Sequence, residues 1–328
     1  MKKASALAAV FGLCAMLVSL TLGQASAQTK LSDPIRLVVG FAAGGSNDIV
    51  ARVFAKKAGE ILGVTIIVLN QPGANGAIAA EAVARAKPDG QTLLVASPSV
   101  LTIAPHLVPD LSYDPVRDFV GIGTVAMNTQ VIAVNPEVKA QDMKEFLSLT
   151  KSSNLTMGAA GIGGLSHLTI ESLELSAGVK LTLVPYKGGV PATNDVVAAH
   201  IDGIVMDLPP LKSFIEAGRL RALAVTSRTR SIFLPDVPTA IESGLSDMEA
   251  ANWFAILAPK GTSGGIADAL HAAFAKAARD PVVVETLAQS GIEPMTQASR
   301  AEFETFLKTE LARWGKVVQA ARIVPKPE

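Results

Sequence analysis

The stretch IRLVVGFAAGGSNDIVARVFAKKAGEIL, residues 35–62, decides how this chain folds. Ile35, Leu37, Val38 and Val39 form a short apolar run of the length expected for a buried central strand. Gly44-Gly45 lets the backbone turn sharply and come close to whatever binds there. Ser46 or Asn47 is a ready N-cap for a helix, and Asp48 falls in its first turn, where a negative charge suits the helix dipole. Apolar pairs at Ile49/Val50, Val53/Phe54 and Ile61/Leu62 lie on one helical face, and Gly63 closes the helix. A strand that delivers a glycine-rich helix N-terminus to a sheet edge makes a pocket for a small anion.

Working outward, Thr65 to Leu69 is a second β-branched strand, Ile78 to Ala86 is helical, and Thr92 to Ala96 is a third strand ending at Ser97. This β-α-β-α-β alternation calls for a parallel sheet with right-handed crossovers. A less regular connection follows. Alternation resumes with a strand at Gln130 to Val134 and continues to a strand at Leu220 to Val225, giving a second α/β unit. Trp253 to Ala258 is one more apolar strand. The tail is helical, opened by the capping box Ser299-x-x-Glu302 with Phe303, Phe306, Leu307, Trp314, Val317 and Val318 on one face. Two α/β units, each with a glycine turn after a strand, suggest a ligand cleft between lobes.

The 328 residues are 49% hydrophobic and 18% charged with a formal charge of zero, the composition of a globular protein. No basic surplus exists to neutralise phosphates, which argues against nucleic acid. Lys2 and Lys3 precede an uncharged run from Ala4 to Gly23, and Ala25-Ser26-Ala27 supplies a cleavage site, so residues 1–27 read as a secretory signal peptide. A membrane anchor is the rival reading, opposed by that small-residue site. Cutting after Ala27 removes Cys14, the only cysteine, and with it any disulfide, thiol nucleophile or cysteine-metal site.

The second glycine turn, Gly158-Ala-Ala-Gly-Ile-Gly-Gly-Leu-Ser-His167, also lies between a strand and a helix. It lacks the third glycine of a dinucleotide fingerprint, and neither turn has a lysine at Walker-A spacing or completes a nucleophile elbow. Both share exposed N–H groups around Gly44, Gly45, Gly163 and Gly164, a serine (Ser46, Ser166), and a helix dipole aimed at one point. Asp48 meets a ligand amino or hydroxyl group, or only complements its helix. Ser46 and Asn47 donate to a carboxylate, or only cap. Lys187 neutralises an anion, or is a solvated loop lysine. Asp207 faces the cleft or caps the next helix, the cap being favoured. The histidines are scattered, so no metal site and no cofactor are expected, and His167 reads as a neutral first-turn residue rather than a catalyst.

The chain resembles the periplasmic solute-binding receptors of tripartite tricarboxylate transporters, the Bug receptors, over residues 33 to 325. The resemblance is carried by Val39-Gly-Phe-Ala-Ala-Gly-Gly-Ser-Asn-Asp48, Asn70-Gln-Pro-Gly73, Pro88-Asp-Gly90, Tyr113-Asp-Pro-Val-Arg-Asp-Phe119, Ser166-His-Leu168, Val184-Pro-Tyr-Lys-Gly188, Leu220-Arg-Ala-Leu-Ala-Val-Thr-Ser227, Leu234-Pro-Asp-Val-Pro-Thr239 and Trp253-Phe254. It implies an α/β, two-lobed periplasmic-binding fold of the type 2 kind. Residues 28–129 plus 252–328 would form one lobe and 130–251 the other. It further implies a small organic carboxylate held in the cleft, largely by main-chain groups and ordered waters. The first turn would supply Phe41, Ala43, Gly44, Gly45, Ser46, Asn47 and Asp48, with Ser97 beside it. The second would supply Ala160, Gly161, Gly163, Gly164, Ser166 and His167, joined by Lys187 and Asp207. Gly40 and Ala43 stand where the family commonly has prolines, and Asn47 where threonine is common.

The expected protein is a secreted, monomeric, non-enzymatic binding protein that hands its carboxylate to membrane permease subunits. A sensor that presents the same ligand to a signalling receptor is one alternative. A hydrolase using Ser46 with Asp48 or His167 is the other, and it lacks a recognisable nucleophile–base–orienter set.

Overall fold

The structure is a computed structural model that describes residues 31, 33–246 and 248–321. The signal peptide expected at residues 1–27 lies outside the described residues. Strand β1 (Ile35–Val39) enters helix α1 (Ser46–Leu62) through the first glycine turn. Gly45 is the helix N-cap and makes no side-chain bond, so Ser46 and Asn47 open the helix instead of capping it. Gly63, in the left-handed conformation, ends it. Strands β2 (Ile66–Asn70) and β3 (Thr92–Ala96) flank β1 on either side, both parallel to it, with helix α2 (Ala77–Ala84) as the second crossover. A π-helical turn at Ser99–Ile103 and the single turn α3 (Ala104–Leu107) follow.

Strand β4 (Phe119–Val134) is 16 residues long and starts well before Gln130. Gly121 and Gly123 hide its first half from a pattern reading, because glycine ordinarily marks a break. Here a β-carbon on Gly121 would run into the Phe303 ring, and the register shifts at Gly121/Gly123 and Thr124/Ala126 bend the strand without ending it.

After β4 come α4 (Met143–Leu149), β5 (Thr156–Ala160), α5 (Leu165–Ala177), β6 (Thr182–Tyr186), α6 (Gly189–Val197), β7 (Gly203–Asp207), α7 (Leu208–Glu216) and β8 (Arg221–Val225). The last segments are β9 (Ala251–Pro259), α8 (Gly264–Ala277), α9 (Pro281–Gln289), the two-residue β10 (Glu293–Pro294) and α10 (Arg300–Ala321). The strand order is β2-β1-β3-β9-β4-β7-β5-β6, with β10 and β8 paired to β4 off that path. Strand β9 therefore returns to lie antiparallel between β3 and β4.

The first part of β4 pairs with β9, and residues 130–134 pair with β7 and β8, so one strand carries the chain between two halves of the sheet. Each half has its own core. In one, Phe54 of α1 packs against Phe274 of α8 over Ile35, Leu37 and Val39. In the other, Phe146, Met157, Ile170 and Leu173 close over Ile132 and Val205. Burial of apolar side chains on both faces of a sheet is what a doubly covered α/β layer requires.

Candidate functional site

The two glycine turns are built alike. Gly44 and Gly163 have φ of 84° and 73°, a left-handed conformation that glycine adopts without strain. The next glycines, Gly45 and Gly164, are extended N-caps with φ/ψ of −83°/171° and −87°/175°. In both turns the positive-φ glycine donates its N–H to a side chain four residues on: Gly44 to Asp48 Oδ2 at 3.0 Å, Gly163 to His167 Nδ1 at 2.9 Å. These bonds consume the N–H groups of Gly44 and Gly163, so neither is left for a ligand. The N–H groups of Gly45, Ser46 and Asn47, and of Gly164, Ser166 and His167, have no partner among the described residues. The Leu165 N–H is taken by Ser99 Oγ at 3.0 Å, a bond that joins the two turns' surroundings.

Asp48 and His167 thereby each clamp their own turn, the structural side of the alternatives open for them. Besides Gly44, the buried Asp48 carboxylate accepts from Arg52 Nε and Asn70 Nδ2, each at 2.9 Å. Burial alone would raise this carboxyl, but Arg52, Gly44 and Asn70 together hold it below the ordinary carboxylate range. Burial pushes the His167 imidazole below its ordinary range, against the pull of Glu171, whose Oε1 lies 3.3 Å from Nε2. A ring whose Nδ1 accepts a main-chain N–H carries its proton on Nε2 and is neutral. Neither group is free to serve as a base for Ser46.

An inner cavity of about 100 Å³ lies where the turns meet. Of the residues expected at the site, Phe41, Ala43, Gly45, Ser46, Asn47, Ser97, Ala160, Ser166, Lys187 and Asp207 line it. Gly44, Asp48, Gly161, Gly163, Gly164 and His167 do not. Gly161 lines an outer cavity of about 780 Å³, which shares Phe41, Ala42, Ala160, Lys187 and Gly188 with the inner one. Lys187 is exposed on that shared wall.

Asp207 makes no cap hydrogen bond to α7, contrary to the favoured expectation. Its carboxylate accepts from Asn252 Nδ2 at 2.7 Å and lies 3.4 Å from Gln130 Nε2, which is also 3.2 Å from Ser166 Oγ. Burial pushes the Asp207 carboxyl up, opposed by Asn252, Ser46, Gln130 and Asn128 around it. Gln130 and Asn252 also line the cavity and escaped the sequence reading. So did Gly188 and Gly189, a third glycine pair between a strand (β6) and a helix (α6), and that repetition was the available signal. Asn75 was missed as well. It takes the left-handed conformation (φ 50°), and its Nδ2 donates to the Ile162 carbonyl, tying the loop after β2 to the second glycine turn.

Among the described residues no group of three or more His, Asp, Glu or Cys is placed to hold a metal ion, and no helix is long and apolar enough to cross a membrane. The sheet with one strand shared between halves, and a cavity lined by both glycine turns, define a two-lobed α/β solute-binding protein of the periplasmic kind. Residues 50–323 match the model of the tripartite tricarboxylate transporter family receptor, and the chain belongs to that family, one of receptors and not of enzymes. It is 33% identical over 297 residues to protein BugT of Bordetella pertussis, covering 90% of this chain and 91% of that one. Two solved structures are similar at 30% identity. Rpa4515 of R. palustris with adipate gives a TM-score of 0.86, covering 90% of this chain and 99% of its own. MatC of Rhodopseudomonas palustris with bound malate gives 0.82, with 87% and 99% covered.

Proposed function

We propose that this receptor captures a small organic carboxylate in the inner cavity and delivers it to the membrane permease subunits of a tripartite transporter. One observation carries the reading: residues with unpartnered main-chain N–H groups at two helix N-termini, Gly45, Ser46 and Asn47 of one and Ser166 of the other, line one small cavity. Such groups are fixed dipoles whose positive ends suit an anion. Relatives solved with adipate and with malate support the ligand class. The proposed lobes are residues 28–129 with 252–328, and 130–251, which close on each other around the ligand. The proposed mature chain starts near Gln28 and works in the periplasm as a monomer; N-terminal sequencing of exported protein checks the cut.

Native mass spectrometry of the purified protein tests the ligand class. A co-purified acid, or calorimetric binding of at least one acid from a C4 to C6 dicarboxylate panel, is the expected result. Binding of sugars or amines in preference to every acid would overturn it.

A further inference from the structure

The inner cavity pairs an anion-binding rim with a buried carboxylate. Asp207 is 8% exposed, and its side chain is the only acidic one on the cavity wall among the described residues. Amide donors reach both of its oxygens, Asn252 Nδ2 at 2.7 Å and Gln130 Nε2 at 3.4 Å, and work against the burial that pushes the carboxyl up. In the ionised form so favoured, a ligand carboxylate placed against it would face a like charge in a poorly solvated pocket, an arrangement that costs heavily. The part of the ligand that meets Asp207 is therefore some other group.

The neighbours of Asp207 specify that group. Asn252 turns its Nδ2 toward the Asp207 carboxylate at 2.7 Å, as an amide beside an acceptor must, which leaves Asn252 Oδ1 buried with no partner. Asn252 is 6% exposed and lines the cavity too. Asn47, which lines the cavity from the first glycine turn, likewise has a buried Oδ1 with no partner. Asn128, which does not line the cavity, leaves both its amide nitrogen and its amide oxygen without a partner and so favours neither. Among the buried side-chain atoms of the described lining residues, those without a partner are both acceptors. Asp207 retains acceptor capacity beyond its amide partners, since an ionised carboxylate offers about four lone-pair positions. Buried acceptors left without donors destabilise a site, so a ligand that brings a donor gains what a plain one forfeits.

We propose that Asp207 is a specificity-determining residue that makes this site select carboxylates carrying a hydroxyl or ammonium group near the bound carboxylate. The inference rests on the carboxylate reading above and narrows it. An unsubstituted diacid supplies no donor beside its carboxylates, whereas a 2-hydroxy or 2-amino acid places an O–H or N–H within one carbon of them.

The test is calorimetry on the full mature chain with matched acids. Succinate is compared with malate and aspartate, and glutarate with 2-hydroxyglutarate and glutamate. In the wild type the substituted acid of at least one series should bind ten or more times tighter than its plain parent. In Asp207→Asn, which keeps shape but loses the charge, that ratio should fall to within about threefold; a ratio within one protein does not depend on how much of the variant folds. Plain acids binding as tightly as their substituted partners in the wild type overturn the inference while leaving the carboxylate reading intact. A preference that survives in Asp207→Asn also overturns it. Failure of every acid to bind overturns the carboxylate reading itself, and this inference with it.

Discussion

The main-chain N–H of Gly163 donates to Nδ1 of His167 at 2.9 Å, and this bond fixes both the turn and the protonation state of the ring. The Gly44 N–H and Asp48 do the same in the other turn, at 3.0 Å. One turn thus uses a neutral imidazole and the other an ion-paired carboxylate for one geometric task. That difference gives the two turns different responses to pH.

Protonating His167 requires breaking its bond from Gly163. Its folded pKa lies below the ordinary 6.5, so below that pH the unfolded chain takes up the proton first. Stability is therefore full above about pH 6.5 and declines as pH falls below it, by at most about 1.4 kcal/mol per pH unit for one group. His167→Asn keeps an acceptor near Nδ1 but does not titrate. The melting-temperature difference between wild type and His167→Asn should shift against the wild type from pH 7 to pH 5. A difference that stays constant with pH would remove His167 from this role.

Asp48→Ala should lower stability by about 1–3 kcal/mol, because it strands the Gly44 N–H and the Asn70 amide. The Arg52 ion pair adds little, as the arginine side chain is 55% exposed. Since Asp48 does not line the cavity, plain and hydroxylated acids should lose affinity by the same factor. Calorimetry that shows a selective loss of hydroxylated or amino acids would return Asp48 to the binding site.

Asn75 bonds the Ile162 carbonyl across the cleft while holding a φ of 50°. Asn75→Gly preserves that backbone conformation and deletes only the bridge. Ligand release measured by stopped flow should accelerate about two- to tenfold, the worth of one ordinary hydrogen bond. An unchanged release rate would mean the bridge does not hold the cleft closed.

The alternating strands and helices were legible in the sequence because each crossover repeats one pattern: a short apolar run, a glycine, an amphipathic stretch. The first half of β4 was not, since Gly121 and Gly123 carry a break signal whose causes, the Phe303 ring beside Gly121 and a φ of 146° at Gly123, show only in the folded chain. The floor of the site was hidden for a related reason. Gln130 faces Asp207 only through the β4–β7 register, and Asn128 faces Asn252 only through the β4–β9 register. Strand partners this distant leave no local pattern. Asp48 was half legible: its place in the first helical turn was readable, but its partner Asn70 arrives from the end of β2.

The central claim is that neutral main-chain donors, not a cationic clamp, hold the ligand carboxylate. Lys187 is the one basic side chain on the wall of the inner cavity among the described residues, so it decides the matter. The direct measurement is calorimetry of wild type and Lys187→Met with the tightest-binding acid of the panel, at low and high salt. Fixed dipoles act at short range and are screened little, unlike exposed charges. The variant should therefore lose less than about tenfold in affinity, roughly 1.4 kcal/mol, and the wild type should depend weakly on ionic strength. A loss of two or more orders of magnitude, with steep salt dependence in the wild type, would contradict the account and make this a salt-bridged site.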